Sequence, residues 1–331
     1  MPTETKNVCI TAFGGPEVVK IVSSSLPDPP SKHVQVKVLY SGFSGADINM
    51  RLGHYPMQKK APLVPGYCHV GRVHINGPDS KKFNVGDLVA CLTMYDSEAT
   101  FTNQPEKYLI PVPDGLDPKV ATALILDWNT AYGMTKGKLH KGDKVFVHGM
   151  SGAVGYALMM LAKLEGGEVY GTASARNHQA IRDLGATPFE YKNKDWIKAM
   201  KDMGGVQAVY DPLGFESWDE SYSILSSKGG HLYGYGGNLA SLNGQEPRSI
   251  MWPTVKLLAQ NLKLCHRRTT FYYITKDQDT FEPNLNELFQ LAKEKQINVS
   301  IKKVWHLDDV PTAHKEWTST TGMGSVVVEI A

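Results

Sequence analysis

Hydrophobic and polar positions alternate in two different ways along the chain. Up to about residue 125 the apolar residues come in short period-two runs broken by Gly and Pro: Val34-Gln35-Val36-Lys37-Val38, Val70 to Ile75, Asp87-Leu88-Val89-Ala90 and Lys107 to Pro111. Period two sends successive side chains to opposite faces of a strand, so this stretch predicts an irregular β-rich domain. From about Lys141 apolar β runs alternate with helical patterns. Strands are expected at Lys144 to His148, Glu168 to Ala173, Phe189 to Tyr191, Gln207 to Asp211, His231 to Tyr235 and Leu262 to His266. Such alternation predicts a parallel sheet with crossover helices, and six strands suffice for a full dinucleotide-binding fold. After Arg268 the alternation stops. Leu285 to Lys295 reads as one amphipathic helix and Ser325 to Ile330 as a last strand, a segment expected to rejoin the first domain. The fold class is α/β, organised as residues 1–125, 126–268 and 269–331.

Composition narrows the function. The chain has 331 residues, enough for two domains with cores of their own. Its 35 Lys and Arg against 33 Asp and Glu give no reason to expect nucleic acid or a membrane as partner. The start, Met1 to Asn7, lacks an apolar signal core, and no run of about 18 apolar residues occurs, so a soluble cytoplasmic protein is expected. The cysteines, Cys9, Cys68, Cys91 and Cys265, show no CxxC spacing, which argues against a disulfide framework and a zinc knuckle.

The chemistry begins at "VFVHGMSGAVGYALMMLA", Val145 to Ala162: a strand, a glycine turn and an apolar helix in succession. Glycine at 152 lets the backbone approach a pyrophosphate, glycine at 155 lets the helix pack on the strand, and the helix N-terminus with Ser151, Gly152, Ala153 and Val154 faces the anion. In the G-x-G-x-x-G pattern the first glycine falls on Met150, so the motif rests on its strand-turn-helix context. The alternative is an ordinary tight turn. About 20 residues on, where an NAD site offers Asp or Glu to the ribose, this chain has Ser174 with Arg176 two residues later. A hydroxyl and a guanidinium suit a 2′-phosphate, which predicts NADPH, the alternative for Arg176 being a solvated helix-start cation.

These segments, with Gly42 to Asp47, Arg51-Leu52-Gly53-His54-Tyr55-Pro56, Val64-Pro65-Gly66-Tyr67, Val85 to Val89, Thr130-Ala131-Tyr132, Leu184 to Ala186, Tyr210 to Gly214 and Gly229 to Gly236, resemble the medium-chain dehydrogenase/reductase superfamily, and within it the zinc-free quinone oxidoreductase branch that includes zeta-crystallin. The resemblance runs in order over nearly the whole chain. It implies a GroES-like substrate domain built from both chain ends, an inserted Rossmann domain, an active cleft between them and a homodimer. The superfamily's alcohol dehydrogenases hold catalytic zinc at positions that look like Ser44, Tyr67 and Leu126 here, none a competent ligand. Cys68 then falls where those enzymes have Glu, and His69 one residue later. On a strand these two point to opposite faces, so no metal site is expected.

Without a Lewis acid to stabilise an alkoxide, substrates that accept hydride easily are favoured: quinones and α,β-unsaturated carbonyls, whose developing oxyanion one hydrogen-bond donor can stabilise. By resemblance, Tyr55 faces the nicotinamide cleft, Thr130 lies beside the nicotinamide, Tyr191 helps hold the 2′-phosphate, and Gly234 and Tyr235 lie in the cofactor-binding "GGHLYGYG". Tyr67, Cys68 and Asn49 mark the substrate side. Each has a structural alternative: loop packing for Tyr55, a helix cap for Thr130, strand-end packing for Tyr191. Ser44 departs from the Asn of many relatives and Asn49 from the Tyr of some. Asp127 either faces the cleft or caps the following helix, the cap being preferred, and Phe271-Tyr272-Tyr273 either lines a flat-substrate pocket or packs in the core, the core being preferred for at least one of the three. The resulting expectation is an NADPH-dependent, zinc-independent quinone or enone reductase, a homodimer acting on a small molecule. The alternatives are a trans-acting enoyl-thioester reductase and a non-enzymatic NADPH-binding protein with a structural or trafficking role.

Overall fold

The computed structural model describes residues 2–55, 58–245 and 248–331; Met1, and Pro56 at the end of the segment Arg51 to Pro56, lie outside them. In chain order the strands are β1 (Thr3–Ile10), β2 (Val19–Leu26), β3 (His33–Phe43), β4 (Cys68–Asn76), β5 (Leu88–Leu92), β6 (Phe101–Pro105), β7 (Ile110–Pro111), β8 (Lys144–Val147), β9 (Glu168–Ala173), β10 (Thr187–Glu190), β11 (Ala208–Asp211), β12 (Gly230–Gly234), β13 (Arg267–Phe271), β14 (Ile301–His306) and β15 (Ser325–Glu329). The chain divides into unit 1, Met1–Asn129 with Thr275–Thr321 and Ser325–Ala331, and unit 2, Thr130–Ile274 with Gly322–Gly324.

Unit 1 is the β-rich one. β1 and β2 form a two-stranded antiparallel sheet, and a larger sheet runs β14-β15-β3-β4-β5-β7 with β6 also paired to β3. The alternation of β3 explains its central place: Val34 and Val36 are fully buried among Val73, Phe83, Val89, Cys91 and Leu109, while Lys37 points out. The strand expected over Lys107 to Pro111 shrinks to Ile110–Pro111. Glu106–Tyr108 is a 3₁₀ turn closed by Leu109 N–H on Glu106 C=O.

Unit 2 holds six parallel strands in the order β10-β9-β8-β11-β12-β13, the doubly wound arrangement. Its core packs Phe146, Val209 and Leu232 from the strands against Trp196, Met200, Trp218 and Leu257 from helices. One expectation fails: Leu262 to His266 is not the sixth strand. Leu262 and Leu264 are almost wholly exposed, and the strand is Arg267–Phe271, seated on β12 through its backbone register. Apolar character misled there because those leucines face outward.

Candidate functional site

The strand order of unit 2 reverses at β8, and ligands of open parallel sheets bind outside the carboxyl ends of the strands at such a point. There the structure places His148 to Gly152, a turn with Gly149 at φ 68°, followed by helix α4 (Ala153–Leu164), with Gly152 as its N-cap. The Gly152 N–H donates to Gly149 C=O at 2.9 Å and the Tyr156 N–H to Gly152 C=O at 2.8 Å. The N–H groups of Ala153 and Val154 therefore open the helix with no acceptor inside it. A Cβ on Gly155 would lie 2.1 Å from Gly149 O, whereas one on Gly152 would meet only that oxygen, at 3.3 Å. The close helix-to-turn contact thus belongs to Gly155. Gly152 leaves space over the helix end, a cradle that fits a pyrophosphate.

At the end of β9, Ser174 is half-buried and Arg176 exposed, and no described carboxylate pairs with Arg176. Tyr191 follows β10, about half exposed, with the Lys192 ammonium 5.8 Å from its ring centre. Glu190, which sequence reasoning passed over, accepts the Ala175 N–H at 3.1 Å through Oε2, so one carboxylate stands beside the same tip. Register brings it there, because Glu190 lies opposite Ala173. Gly234 ends β12 in contact with Trp218, where a Cβ would come within 2.7 Å of the indole. Tyr235 donates its N–H to Asp211 C=O at 3.1 Å, and burial pushes its phenol up. Thr130 is buried inside helix Asn129–Thr135, not at its cap. Of the aromatic run, Phe271 packs on the unit 2 core, the Tyr272 hydroxyl lies against Gly133, and Tyr273 is partly exposed.

Unit 1 carries the other candidates. Ser44 N-caps helix α1 (Gly45–Leu52) in a capping box: its side chain accepts from Ala46 N–H at 3.1 Å, and Asp47 Oδ2 accepts from Ser44 N–H at 2.8 Å. The pattern Ser-x-x-Asp announces this box in the sequence. Asp47 Oδ1 also accepts the Gly66 N–H at 3.1 Å, so one carboxyl joins the Ser44 segment to the Tyr67 segment. Asn49 is half-buried on α1, and Tyr55 beyond it stands edge-on to Tyr95, ring centres 5.7 Å apart. Tyr67 is buried, and burial pushes its phenol well above the usual value, with Asp127, Cys68 and Asp47 adding and Ser44 opposing. Leu126 and Asp127 lie in a π-helical turn, Leu124–Trp128. Asp127 is not a helix cap: its Oδ2 accepts from Ser325 Oγ at 2.6 Å, and burial raises its carboxyl to about 6. Glu98 is fully buried, backed onto Gly66, and burial holds its carboxyl well above the usual range with Asp47 adding.

A serine, a phenol and an alkyl chain do not fit zinc. The described residues contain no group of three or more His, Cys, Asp or Glu placed to take a metal. Cys68 is buried with its thiol pushed well up by burial, and His69 is buried with Nδ1 on Ser97 Oγ at 2.9 Å. Among the described residues no helix is long and apolar enough to cross a membrane.

Residues 30–114 match the family model described as alcohol dehydrogenase GroES-like domain, and residues 184–328 match that described as zinc-binding dehydrogenase. The human synaptic vesicle membrane protein VAT-1 homolog is 28% identical over 96% of this chain and 85% of its own length. Rat quinone oxidoreductase is 30% identical over 66% of this chain and 69% of its own. A mycobacterial protein solved in complex with NADPH superposes with a TM-score of 0.83 at 26% identity, covering 98% of this chain and 100% of that one.

Proposed function

The chain belongs to the medium-chain dehydrogenase/reductase superfamily, in the branch of the quinone oxidoreductases and VAT-1 homologues, and on that premise we propose that it is an NADPH-dependent, zinc-independent reductase of quinones or α,β-unsaturated carbonyls. The observation that carries the reading is the end of the parallel sheet: a helix N-terminus opened by Gly152 beside a tip with Ser174 and an exposed Arg176. The N–H groups of Ser151, Ala153 and Val154 would take the pyrophosphate, and Ser174, Arg176 and Tyr191 the 2′-phosphate. Gly234, Tyr235 and Thr130 would line the remainder of the cofactor.

When bound, NADPH supplies the hydride. The protein's part is to orient the acceptor and stabilise the oxygen on which charge develops. Tyr67, kept protonated by burial, is a donor and not a base, and Tyr55 and Asn49 are the further donors proposed for that oxygen. Such O–H and N–H donors suit conjugated acceptors, which put charge on one terminal oxygen, better than an alcohol that needs a metal to become an alkoxide.

A homodimer is part of the proposal. Among the described residues β13 ends the sheet, paired on one side only, and beside it Met251, Trp252, Val255, Leu258, Leu262 and Leu264 are all exposed. An open strand edge flanked by six large apolar side chains suits a second copy adding its own edge, on the scale of roughly 800 Å² per partner. Leu262→Glu with Leu264→Glu should give monomers in sedimentation equilibrium, and an unchanged assembly would reject this face.

The test of function is NADPH and NADH oxidation against benzoquinones, naphthoquinones, 2-alkenals, alkenones and an enoyl thioester. Turnover with quinones or enones and NADPH is expected. Preference for the thioester would point to an enoyl-thioester reductase. Tight NADPH binding with silence toward every acceptor would favour a binding protein, the reading that similarity to VAT-1 homologues keeps in view.

A further inference from the structure

The carboxyl ends of β8, β9 and β11 are joined by buried side-chain hydrogen bonds whose proton directions can be worked out one by one. Asp211 is fully buried and accepts from Ser217 Oγ at 2.7 Å and Ser221 Oγ at 2.6 Å on Oδ2, and from Leu213 N–H at 2.7 Å on Oδ1. The single proton of Ser221 is thereby committed to Asp211. The contact between Ser221 Oγ and His148 Nε2, 3.0 Å, must then be donated by the ring. His148 is buried, and burial lowers its pKa, so the ring is neutral with a proton on Nε2 and a bare Nδ1. Nδ1 lies 3.3 Å from Thr172 Oγ1, whose hydroxyl donates to it. A remaining lone pair of Thr172 Oγ1 accepts the Gly149 N–H at 3.1 Å. The chain runs in one direction: Gly149 N–H to Thr172, Thr172 O–H to His148 Nδ1, His148 Nε2–H to Ser221, Ser221 O–H to Asp211.

Its near end is the glycine turn. Gly149 sits at φ 68°, and its carbonyl both accepts the Gly152 N–H and lies under Gly155, where any added carbon would collide with it. The Gly149 N–H lies in the His148–Gly149 peptide and the Gly149 carbonyl in the Gly149–Met150 peptide; Thr172 holds the first through Oγ1 and the second through its own C=O on the Met150 N–H, so Thr172 sets both peptides that lead into α4. Met150 N–H on Thr172 C=O at 2.9 Å and His148 N–H on Tyr210 C=O at 3.0 Å anchor the same turn, but neither controls the Gly149 N–H.

We infer that His148, held as the neutral Nε2–H tautomer between Ser221 and Thr172, is a positioning residue for dinucleotide binding: by fixing the Thr172 hydroxyl it locks the His148–Gly149 peptide, the first of the two that lead into α4, and so aims the first-turn N–H groups of α4 at the pyrophosphate. This rests on the proposed reading of the turn as the cofactor site. Because the pyrophosphate is common to NADPH and NADH, the effect is on affinity for both and not on the choice between them. The side-chain hydrogen bonds from Thr172 to Asp211 are buried and run in one direction, the setting in which a network specifies one geometry.

Two measurements test it. In the wild-type protein with ¹⁵N-labelled histidine, the His148 ring should show a protonated Nε2 and an unprotonated Nδ1 at pH 7; a protonated Nδ1 would overturn the chain. Thr172→Val keeps the shape and removes the shared oxygen, whereas Thr172→Ser keeps the oxygen. By fluorescence titration Thr172→Val should weaken NADPH and NADH alike, about tenfold, with kcat at saturating cofactor unchanged and Thr172→Ser restoring wild-type affinity. An unchanged Kd in folded Thr172→Val, or a loss confined to NADPH, would overturn the inference while leaving the proposed function standing. A wild-type protein that binds neither nucleotide would overturn both.

Discussion

The two units treat buried polar groups in opposite ways. Among the described residues, ten buried side-chain nitrogen and oxygen atoms have no hydrogen bond of good geometry within the chain; nine are in unit 1, and only Gln260 Oε1 is in unit 2. In unit 2 the buried histidine, aspartate, serines and threonine at the sheet end satisfy one another in a directed chain. In unit 1, Glu98 has both carboxyl oxygens unpartnered and packs against Gly66, and His69, two residues after Tyr67, has an unpartnered Nε2. An unsatisfied buried group costs about 1–3 kcal/mol, so such groups persist where something other than stability holds them. A satisfied network suits a rigid cradle for a cofactor shared by many enzymes. The orphans suit a site whose polar character matters to a reaction.

The largest effect that sharpens this contrast is expected in unit 2. Gly155→Val puts side-chain carbon into the Gly149 carbonyl and should abolish NADPH binding, read as loss of fluorescence enhancement on titration, where wild-type binding would show the contact to be dispensable. Next comes Arg176→Ala. Removing the cation should raise the NADPH KM roughly tenfold or more, on the order of 1.4 kcal/mol, and leave kcat nearly unchanged because the 2′-phosphate is remote from the reacting carbon; an equal loss in kcat would misplace Arg176.

In unit 1 the contrast is read through pH. The Asp127 carboxyl is raised by burial to about 6, against about 3.9 unfolded. Its folded form holds the proton more tightly, so the associated stability is present below about pH 4 and is lost as pH rises through about 6. Urea unfolding between those limits should show a loss on the order of 2–3 kcal/mol from this group, and Asp127→Asn should flatten that part of the profile; an unaltered slope would mean the carboxyl does not titrate there. The smallest effect falls at the cofactor tip. Glu190→Gln removes the carboxylate beside Ala175 and should raise the NADPH over NADH preference about two- to fivefold, as expected for a partly exposed charge.

The sheet of unit 2 was readable because its strands and helices follow one another in sequence, and its glycine turn because strand, Gly and apolar helix are contiguous. The sixth strand was not, since Leu262 and Leu264 carry a β-like apolar pattern on a segment that faces outward. In unit 1, partners lie far apart along the chain. Asp127 finds Ser325 across 198 residues, and Asp47 finds Gly66 across 19, contacts that no local pattern records. The Ser44 cap was written locally as Ser-x-x-Asp, and the role of Glu190 became visible only through its register against Ala173.

The central claim is hydride transfer from NADPH to a conjugated acceptor, and isotope transfer tests it most directly. Protein incubated with an alkenone and NADPH carrying deuterium at the transferable C4 position should yield the saturated ketone with one deuterium on the β-carbon, identified by mass spectrometry and NMR. Product without deuterium, or no product from any conjugated acceptor while NADPH binds tightly, would contradict it.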